Sequence, residues 1–426
     1  MAQFICSECG YGSASWYGKC PSCSQWHTLD KKETEKKSKF SRRATKAAVT
    51  SLKKIPTSSI GRLATGIYEV DRVLGGGFTQ GQVILLAGEP GVGKSTLLLK
   101  ALSQLKTFYV SGEESAAQVK DRADRVKTSL DSLLFSDETQ VESIIATAKS
   151  QAKKFSVLII DSIQTIYSGD VSAPVGGVTQ IRESVSLLSD FAKQFNKTLV
   201  IVGHVTKEGE IAGPKTLEHL VDTVLYLEGD KNSSYRVLRS RKNRFGATDE
   251  VGLFEMTDRG MSQVKAPTAF LETSSKSQVG RVIVGTVEGS RALFFEIQSL
   301  VVPTKLAMPR RVVSGVDFNR LQLLLAVIRK YVKLPLDSFD IYVNVVGGLS
   351  VKSTAADLGI VASVVSSAKN KPVSQQQVFV GEIGLLGEVR SVYGEEKVIK
   401  DARRYGFKKV ISSKTMISIK EIGKML

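Results

Sequence analysis

The sequence predicts an α/β protein: a phosphate-loop nucleotide-binding core, preceded by a small metal-held module and followed by an α+β domain. Three observations carry this expectation. Residues 88–96 read Gly-Glu-Pro-Gly-Val-Gly-Lys-Ser-Thr and meet the pattern G-x-x-x-x-G-K-[ST] without mismatch. All four cysteines fall within the first 23 residues, as Cys6-x-x-Cys9 and Cys20-x-x-Cys23. From about Ala266 onward the strands and helices carry no nucleotide motif of their own. At 426 residues the chain exceeds one ordinary core. The expected parts are a module over 1–30, a linker over 31–55, the core over 56–265 and the last domain over 266–426.

A hydrophobic content of 42% with 24% charged residues is that of a soluble globular protein. The start lacks a basic segment followed by an apolar one, and no run approaches 18 apolar residues, so a cytoplasmic chain is expected. The formal net charge is +17, and Lys31 to Lys54 hold ten Lys or Arg against Glu33 and Glu35. Such a segment reads as a solvated linker and attracts polyphosphate, because neutralised phosphates release counterions. Nucleic acid is the expected partner, ahead of an anionic membrane surface.

Two C-x-x-C knuckles ten residues apart suit one tetrahedral Zn–S₄ site with Cys6, Cys9, Cys20 and Cys23 as ligands. Four thiolates leave no open position, so the Zn²⁺ is structural, and about 25 residues need it to hold a fold. His27 reads as a neighbour rather than a ligand. Trp16, Tyr17 and Trp26 form an apolar patch, for a base, a partner or plain packing around the metal.

In the core, Val83 to Ala87 is an apolar run suited to a buried parallel strand, and Leu97 to Leu105 reads as a helix. Between them lies the nucleotide-binding loop: Gly88, Glu89, Pro90, Gly91, Val92, Gly93, Lys94, Ser95 and Thr96. Its glycines let successive N–H groups face one anion, Lys94 reaches the β/γ-phosphates of ATP, and the Ser95 hydroxyl ligates Mg²⁺. Thr107 to Val110 is a second strand ending at Ser111-Gly112-Glu113-Glu114-Ser115. A carboxylate there is placed to orient water against a γ-phosphate. Glu113 is taken as catalytic, with Glu114 the open alternative. Phe155 to Ile160 followed by Asp161 has the Walker B form, a buried strand delivering a second Mg²⁺ ligand. The strand Thr198 to Gly203 ends at His204, a sensor candidate. Two polar, Gly-rich loops leave the same sheet edge: Ser168 to Thr179, and Val205 to Lys215 with Lys207 and Lys215. Lys242-Asn243-Arg244-Phe245-Gly246 then places two cations two residues apart on one expected strand face.

The zinc box, phosphate loop, Ser-Gly-Glu-Glu-Ser, Walker B strand and Lys-Asn-Arg-Phe-Gly occur in an order and spacing that resembles the bacterial RadA (Sms) DNA-repair family. The resemblance spans essentially the whole chain and implies a RecA-like, DNA-stimulated ATPase that processes recombination intermediates and drives branch migration. It implies a hexameric ring in which Lys242 and Arg244 act on the neighbouring subunit's nucleotide, with Lys207 and Lys215 on DNA-facing loops. The implied partners are single-stranded and branched DNA and a recombinase filament or other recombination proteins, with no membrane.

Beyond Ala266, a hairpin turning at Glu288-Gly289-Ser290 is expected, then a helix over Asp317 to Val332, a strand over Phe339 to Val346 and a helix over Ser353 to Ala368. Gln377 to Ile383, Glu395 to Tyr405 and Lys408 to Ile411 follow as strand, helix and strand. This region resembles the proteolytic domain of Lon proteases. Asp357 stands where the Ser nucleophile belongs and Glu396 near the dyad Lys. An Asp cannot replace that hydroxyl, so an inactive, Lon-like scaffold is expected.

Overall fold

The structure is a computed structural model that describes residues 4–8, 11–31, 51, 61–204, 217–229, 234–264, 268, 271, 277–348 and 351–426. Cys9, Lys207, Lys215 and nearly all of the basic linker lie outside the described residues. The chain divides into two compact units, 1–57 and 58–426.

In the first unit, Phe4–Cys6 pairs antiparallel with both Gly12–Ser13 and Leu29–Lys31. Among its described residues the buried apolar set is Cys6, Cys20 and Leu29, with Phe4 and Cys23 against them.

The second unit is built on a nine-stranded sheet. In chain order its strands are β1 (Val83–Gly88), β2 (Thr107–Ser111), β3 (Leu133–Ser136), β4 (Val157–Asp161), β5 (Thr198–His204), β6 (Thr223–Glu228), β7 (Tyr235–Asn243), β8 (Val251–Thr257) and β9 (Gly260–Gln263). Their spatial order is β9-β8-β7-β6-β1-β5-β4-β2-β3. Strands β6, β1, β5, β4, β2 and β3 are parallel; β7, β8 and β9 run antiparallel at one edge.

Among the described residues the helices that accompany this sheet are α1 (Tyr68–Leu74), α2 (Lys94–Ala101), α3 (Ala116–Arg125), α4 (Val141–Ser150) and α5 (Val178–Gln194). Alternation along β1 sends Ile84 and Leu86 into the cluster containing α2 and α3. Val83, Leu85 and Ala87 enter the cluster containing α4 and α5. Helix α2 starts three residues earlier than the periodicity predicts. Gly93, at φ +108°, turns the loop directly into the helix. The helix also stops earlier, where the Ser103 hydroxyl takes the Lys100 carbonyl.

The C-terminal part has a six-stranded mixed sheet, ordered β12-β13-β11-β10-β14-β15, from β10 (Arg281–Glu288), β11 (Arg291–Pro303), β12 (Arg311–Ser314), β13 (Phe339–Val345), β14 (Gln377–Phe379) and β15 (Lys409–Ile411). Its main helices are α6 (Phe318–Val327), α7 (Asp357–Lys369) and α8 (Glu395–Arg404). The helix expected to Val332 is α-helical only to Val327 and finishes as a π-helical turn over Ile328–Val332. The expected helix from Ser353 begins as a 3₁₀ turn, Thr354–Ala356, ahead of α7.

The core and the C-terminal part pack as one body. Leu253 of β8 and Val264, just after β9, belong to the C-terminal apolar cluster. Arg291, just after the β10–β11 turn, pairs at 2.9 Å with Glu69 of α1, both buried. Around that turn Arg239 reaches Glu288 at 2.6 Å, and Arg72 bonds Glu250 at 2.6 Å and the Ser290 hydroxyl at 2.8 Å. The turn needs Gly289, at φ +61°, because a Cβ there would meet the Asp249 carbonyl at 1.7 Å.

Candidate nucleotide and metal sites

Strand order assembles the nucleotide site. Because β5 lies beside β1 with His204 opposite Gly88, the histidine is brought to the foot of the phosphate loop. Lys94 Nζ lies 3.0 Å from His204 Nδ1 and donates to the Gly88 and Glu89 carbonyls at 2.9 and 3.0 Å. On its other side His204 Nε2 lies 3.3 Å from Glu113 Oε1, which also accepts from the Ser162 hydroxyl. Burial lowers the Lys94 pKa to about 8, against the pull of the Asp161 and Glu113 carboxylates. Three strand ends, β2, β4 and β5, thus converge on one ammonium.

The loop itself is shaped for an anion. Gly88 sits so close to β6 that a Cβ would meet the Leu227 carbonyl at 2.6 Å. Gly91 and Gly93 take φ of +79° and +108°, and no side chain caps α2, so its first-turn N–H groups face the loop. The Ser95 hydroxyl makes no hydrogen bond among the described residues, which leaves it open to a cation. Asp161, at the end of β4, is 6% exposed and accepts from the Tyr109 hydroxyl on its Oδ2 alone. An uncommitted hydroxyl and a half-committed carboxylate are the donors that Mg²⁺ with ATP requires.

The structure separates the two glutamates. Glu114 is ion-paired to Arg122 of α3, while Glu113 faces His204 and Ser162. It also adds residues that sequence reading missed. Tyr109 reads as strand core but its phenol, pushed well above its ordinary pKa by burial and by Asp161, stays a donor to that carboxylate. Arg236 of β7, nearly buried, donates to the Val92 carbonyl at the loop crest, 3.1 Å away. Neither carries a local signal, since each contact joins residues more than 50 positions apart.

Lys242 and Arg244 lie elsewhere. Strand β7 runs antiparallel to β6, so its last residues face Thr223 and Val224, which pair with Ile84 and Leu85 near the start of β1. Those are the strand ends opposite the phosphate loop: Leu85 and Ile84 lie about 10 and about 13 Å from Gly88 along β1 at 3.3 Å per residue. Each cation has a partner in its own chain. Lys242 Nζ donates to the Glu218 and Val221 carbonyls at 2.7 and 2.8 Å, and Arg244 lies 3.1 Å from Asp222 Oδ1 while staying 61% exposed. Asn243 between them bonds Thr223 and the Phe245 N–H, and Arg62 donates to the Phe245 carbonyl, so the pentapeptide is fastened to the core.

The polar loop after Tyr167 is fastened to its neighbours. Gln180 donates to the carbonyls of Ser168, Val171 and Ala173, and the Ser168 hydroxyl bonds Glu142.

In the first unit, the sulfurs of Cys6, Cys20 and Cys23 all lie within 4.8 Å of one another. Cys6 and Cys23 are 3.6 Å apart, too long for an S–S bond and near the roughly 3.8 Å between thiolates on one tetrahedral zinc. His27 is turned toward Trp16 and Trp26.

In the C-terminal part, Asp357 is held by Arg320, through Nε at 3.1 Å and through a second, shorter contact, and by the Ile383 N–H at 3.2 Å. Glu396 is exposed and paired with Lys414.

Fold and sites together define a phosphate-loop nucleotide-binding protein with a thiolate-bound zinc module. The chain is 44% identical to the DNA repair protein RadA of Pseudomonas aeruginosa (96% of this chain, 92% of that one), and 43% identical to those of Bacillus subtilis (96% and 92%) and Aquifex aeolicus (97% and 93%). It belongs to the RadA family of DNA-repair proteins. Family models match over 4–31 (a rubredoxin metal-binding domain), 62–247 (a family of unknown function, DUF7125) and 316–416 (subunit ChlI of Mg-chelatase). The first match and the thiolate cluster together make the metal Zn²⁺. Among solved structures the chain is similar to a RadB recombinase (23% identity, TM-score 0.38) and a KaiC-like protein from Pyrococcus horikoshii (20%, TM-score 0.40). Each is covered completely by 48% of this chain. No helix among the described residues is long and apolar enough to cross a membrane.

Proposed function

We propose that this protein is a cytoplasmic, DNA-stimulated ATPase that processes recombination intermediates and drives branch migration as a homo-oligomeric, hexameric ring. The observation that carries this reading is the convergence of Lys94, His204, Glu113 and Asp161 at adjacent strand ends, with Arg244 exposed at the opposite strand ends. Lys94 exchanges the Gly88 and Glu89 carbonyls for the β/γ-phosphates of ATP. Ser95 and Asp161 hold Mg²⁺, Glu113 orients the attacking water, and His204, touching both Lys94 and Glu113, relays the state of the γ-phosphate. Arg244 lies too far from its own phosphate loop to serve it, so it acts on the nucleotide of the next subunit, with Lys242 bracing its strand.

In this reading the functional parts are 1–30, a zinc module, 31–55, a linker, 56–265, the motor, and 266–426, an inactive, Lon-like scaffold for the ring. Its DNA partners are single-stranded and branched, met at Lys207 and Lys215, with a recombinase filament as protein partner. The test is ATP hydrolysis with no DNA, single-stranded DNA and forked DNA, alongside branch migration with ATP and with a non-hydrolysable analogue. Stimulation by DNA and migration only with ATP are expected. Equal migration with the analogue would replace the motor by a nucleotide-switched DNA-binding scaffold.

A further inference from the structure

The zinc module exposes what a packed module would bury. Trp16 is 53% and Trp26 66% exposed, with Tyr17 exposed beside them. The two indoles meet over one residue: a Cβ on Gly18 would lie 3.7 Å from Trp16 Cη2 and 3.8 Å from Trp26 Cζ3. The His27 ring stands 6.4 Å from the Trp16 ring and 6.5 Å from the Trp26 ring, at 39° and 40° to them. Lys19 Nζ lies 5.7 Å from the Trp26 ring centre. Backbone and metal site hold this arrangement together. Lys19 bridges Trp26, the His27 N–H donates to the Gly18 carbonyl at 2.9 Å, and Cys20 and Cys23 close the turn between them.

An aromatic surface of this kind, with a cation at its rim, suits a flat π-face carrying negative charge nearby. Unstacked bases of single-stranded DNA fit both terms, and the chain's +17 charge, with ten Lys or Arg between 31 and 54, favours a polyphosphate over a neutral peptide. We propose that Trp16 and Trp26 are a stacking platform for an unpaired nucleobase, so that the zinc module itself engages single-stranded DNA. This rests on the DNA-binding reading above and assigns it a site.

The sequence contains only two tryptophans, and both are in this patch, so the fluorescence of the intact protein reports on the platform alone. Full-length protein excited at 295 nm is titrated with a thymidine oligonucleotide, the same oligonucleotide's blunt duplex, and an abasic deoxyribose-phosphate oligomer, while anisotropy of a labelled strand records binding. Saturable quenching by the single strand, weaker with the duplex and missing with the abasic oligomer, is expected. Trp26→Ala and Trp16→Ala should each weaken single-strand binding about 5- to 150-fold, and Trp26→Phe should recover most of it. Zinc content must stay at one per chain in each variant. Removing zinc with a chelator should abolish the quenching.

Anisotropy that saturates without quenching would overturn the platform while leaving DNA binding intact. Parental affinity in a zinc-loaded Trp16→Ala/Trp26→Ala protein would do the same. No anisotropy change with any DNA would overturn both readings. Quenching by a recombinase protein but by no DNA would reassign the patch to a protein partner.

Discussion

Two aspartates, Asp161 and Asp357, are both almost withdrawn from water, 6% and 1% exposed, and the sequence singled out each as a position of chemical interest. They differ in what their oxygens are committed to. Asp161 receives one phenol on Oδ2 and keeps Oδ1 uncommitted among the described residues, beside the Lys94 ammonium. Asp357 is taken up on both oxygens by Arg320, with the Ile383 N–H added, and burial pushes its carboxyl above the usual range against those bonds. A buried charge alone does not mark a working site. Spare lone pairs facing spare donors do, because a ligand has to be bound without first breaking a pair that costs several kcal/mol to separate.

The strongest attempt to break this comparison is Lys94→Ala. It removes the cation on the open side and should leave no measurable ATP hydrolysis in a protein with a parental circular-dichroism spectrum. Turnover at the parental rate would mean the open aspartate serves something else.

Arg244→Ala tests whether the open site is completed from outside the chain. Trans-acting arginines are worth roughly 10³–10⁵ in rate where measured. Turnover should fall within that range with nucleotide binding kept, and mixing with Lys94→Ala subunits should restore part of it. A mixture no more active than its components, in assemblies shown to exchange subunits, would assign Arg244 to Asp222 or to DNA phosphate.

On the closed side, Arg320→Ala leaves Asp357 buried without its guanidinium. Loss of one partner of a buried pair costs about 3–5 kcal/mol, so the denaturation midpoint of the C-terminal part should drop. No peptidase activity should appear against unfolded protein, with or without ATP and DNA. Proteolysis by a highly purified sample would end the scaffold reading.

The smallest effect sharpens the open side. Tyr109→Phe deletes one hydrogen bond to a carboxylate, worth about 1.5–3 kcal/mol, and should raise the Mg²⁺ concentration needed for tight nucleotide binding about tenfold. Binding of nucleotide without Mg²⁺ should not change. An equal loss in both conditions would make Tyr109 a packing residue only.

The phosphate loop, the cluster of Cys6, Cys20 and Cys23 and the strand that ends at Asp161 were legible in the sequence, because each is a local demand. Glycines must take positive φ, knuckles must turn within four residues, and a buried parallel strand must be apolar throughout. The β10–β11 hairpin was legible for the same reason, its turn being one glycine and its neighbours. The extent of α2 was not. A glycine N-cap starts the helix at Lys94, and a serine hydroxyl draws it to a close at Ala101, both overriding hydrophobic periodicity.

Only the tertiary structure gave Glu113 and Glu114 different partners, set His204 against Lys94, gave Tyr109 to Asp161 and Arg236 to Val92, and gave Lys242 and Arg244 partners at the far strand ends. Each of these depends on which strands are neighbours. The order β6-β1-β5-β4-β2 is not the chain order, and residues 21 to 144 positions apart meet only in the folded sheet. By itself the sequence determined the groups that can bind phosphate and zinc, because those are properties of short segments. Which of its remaining charges are free to act was decided by packing, because a charge is free only where its neighbours leave an oxygen or an N–H unclaimed.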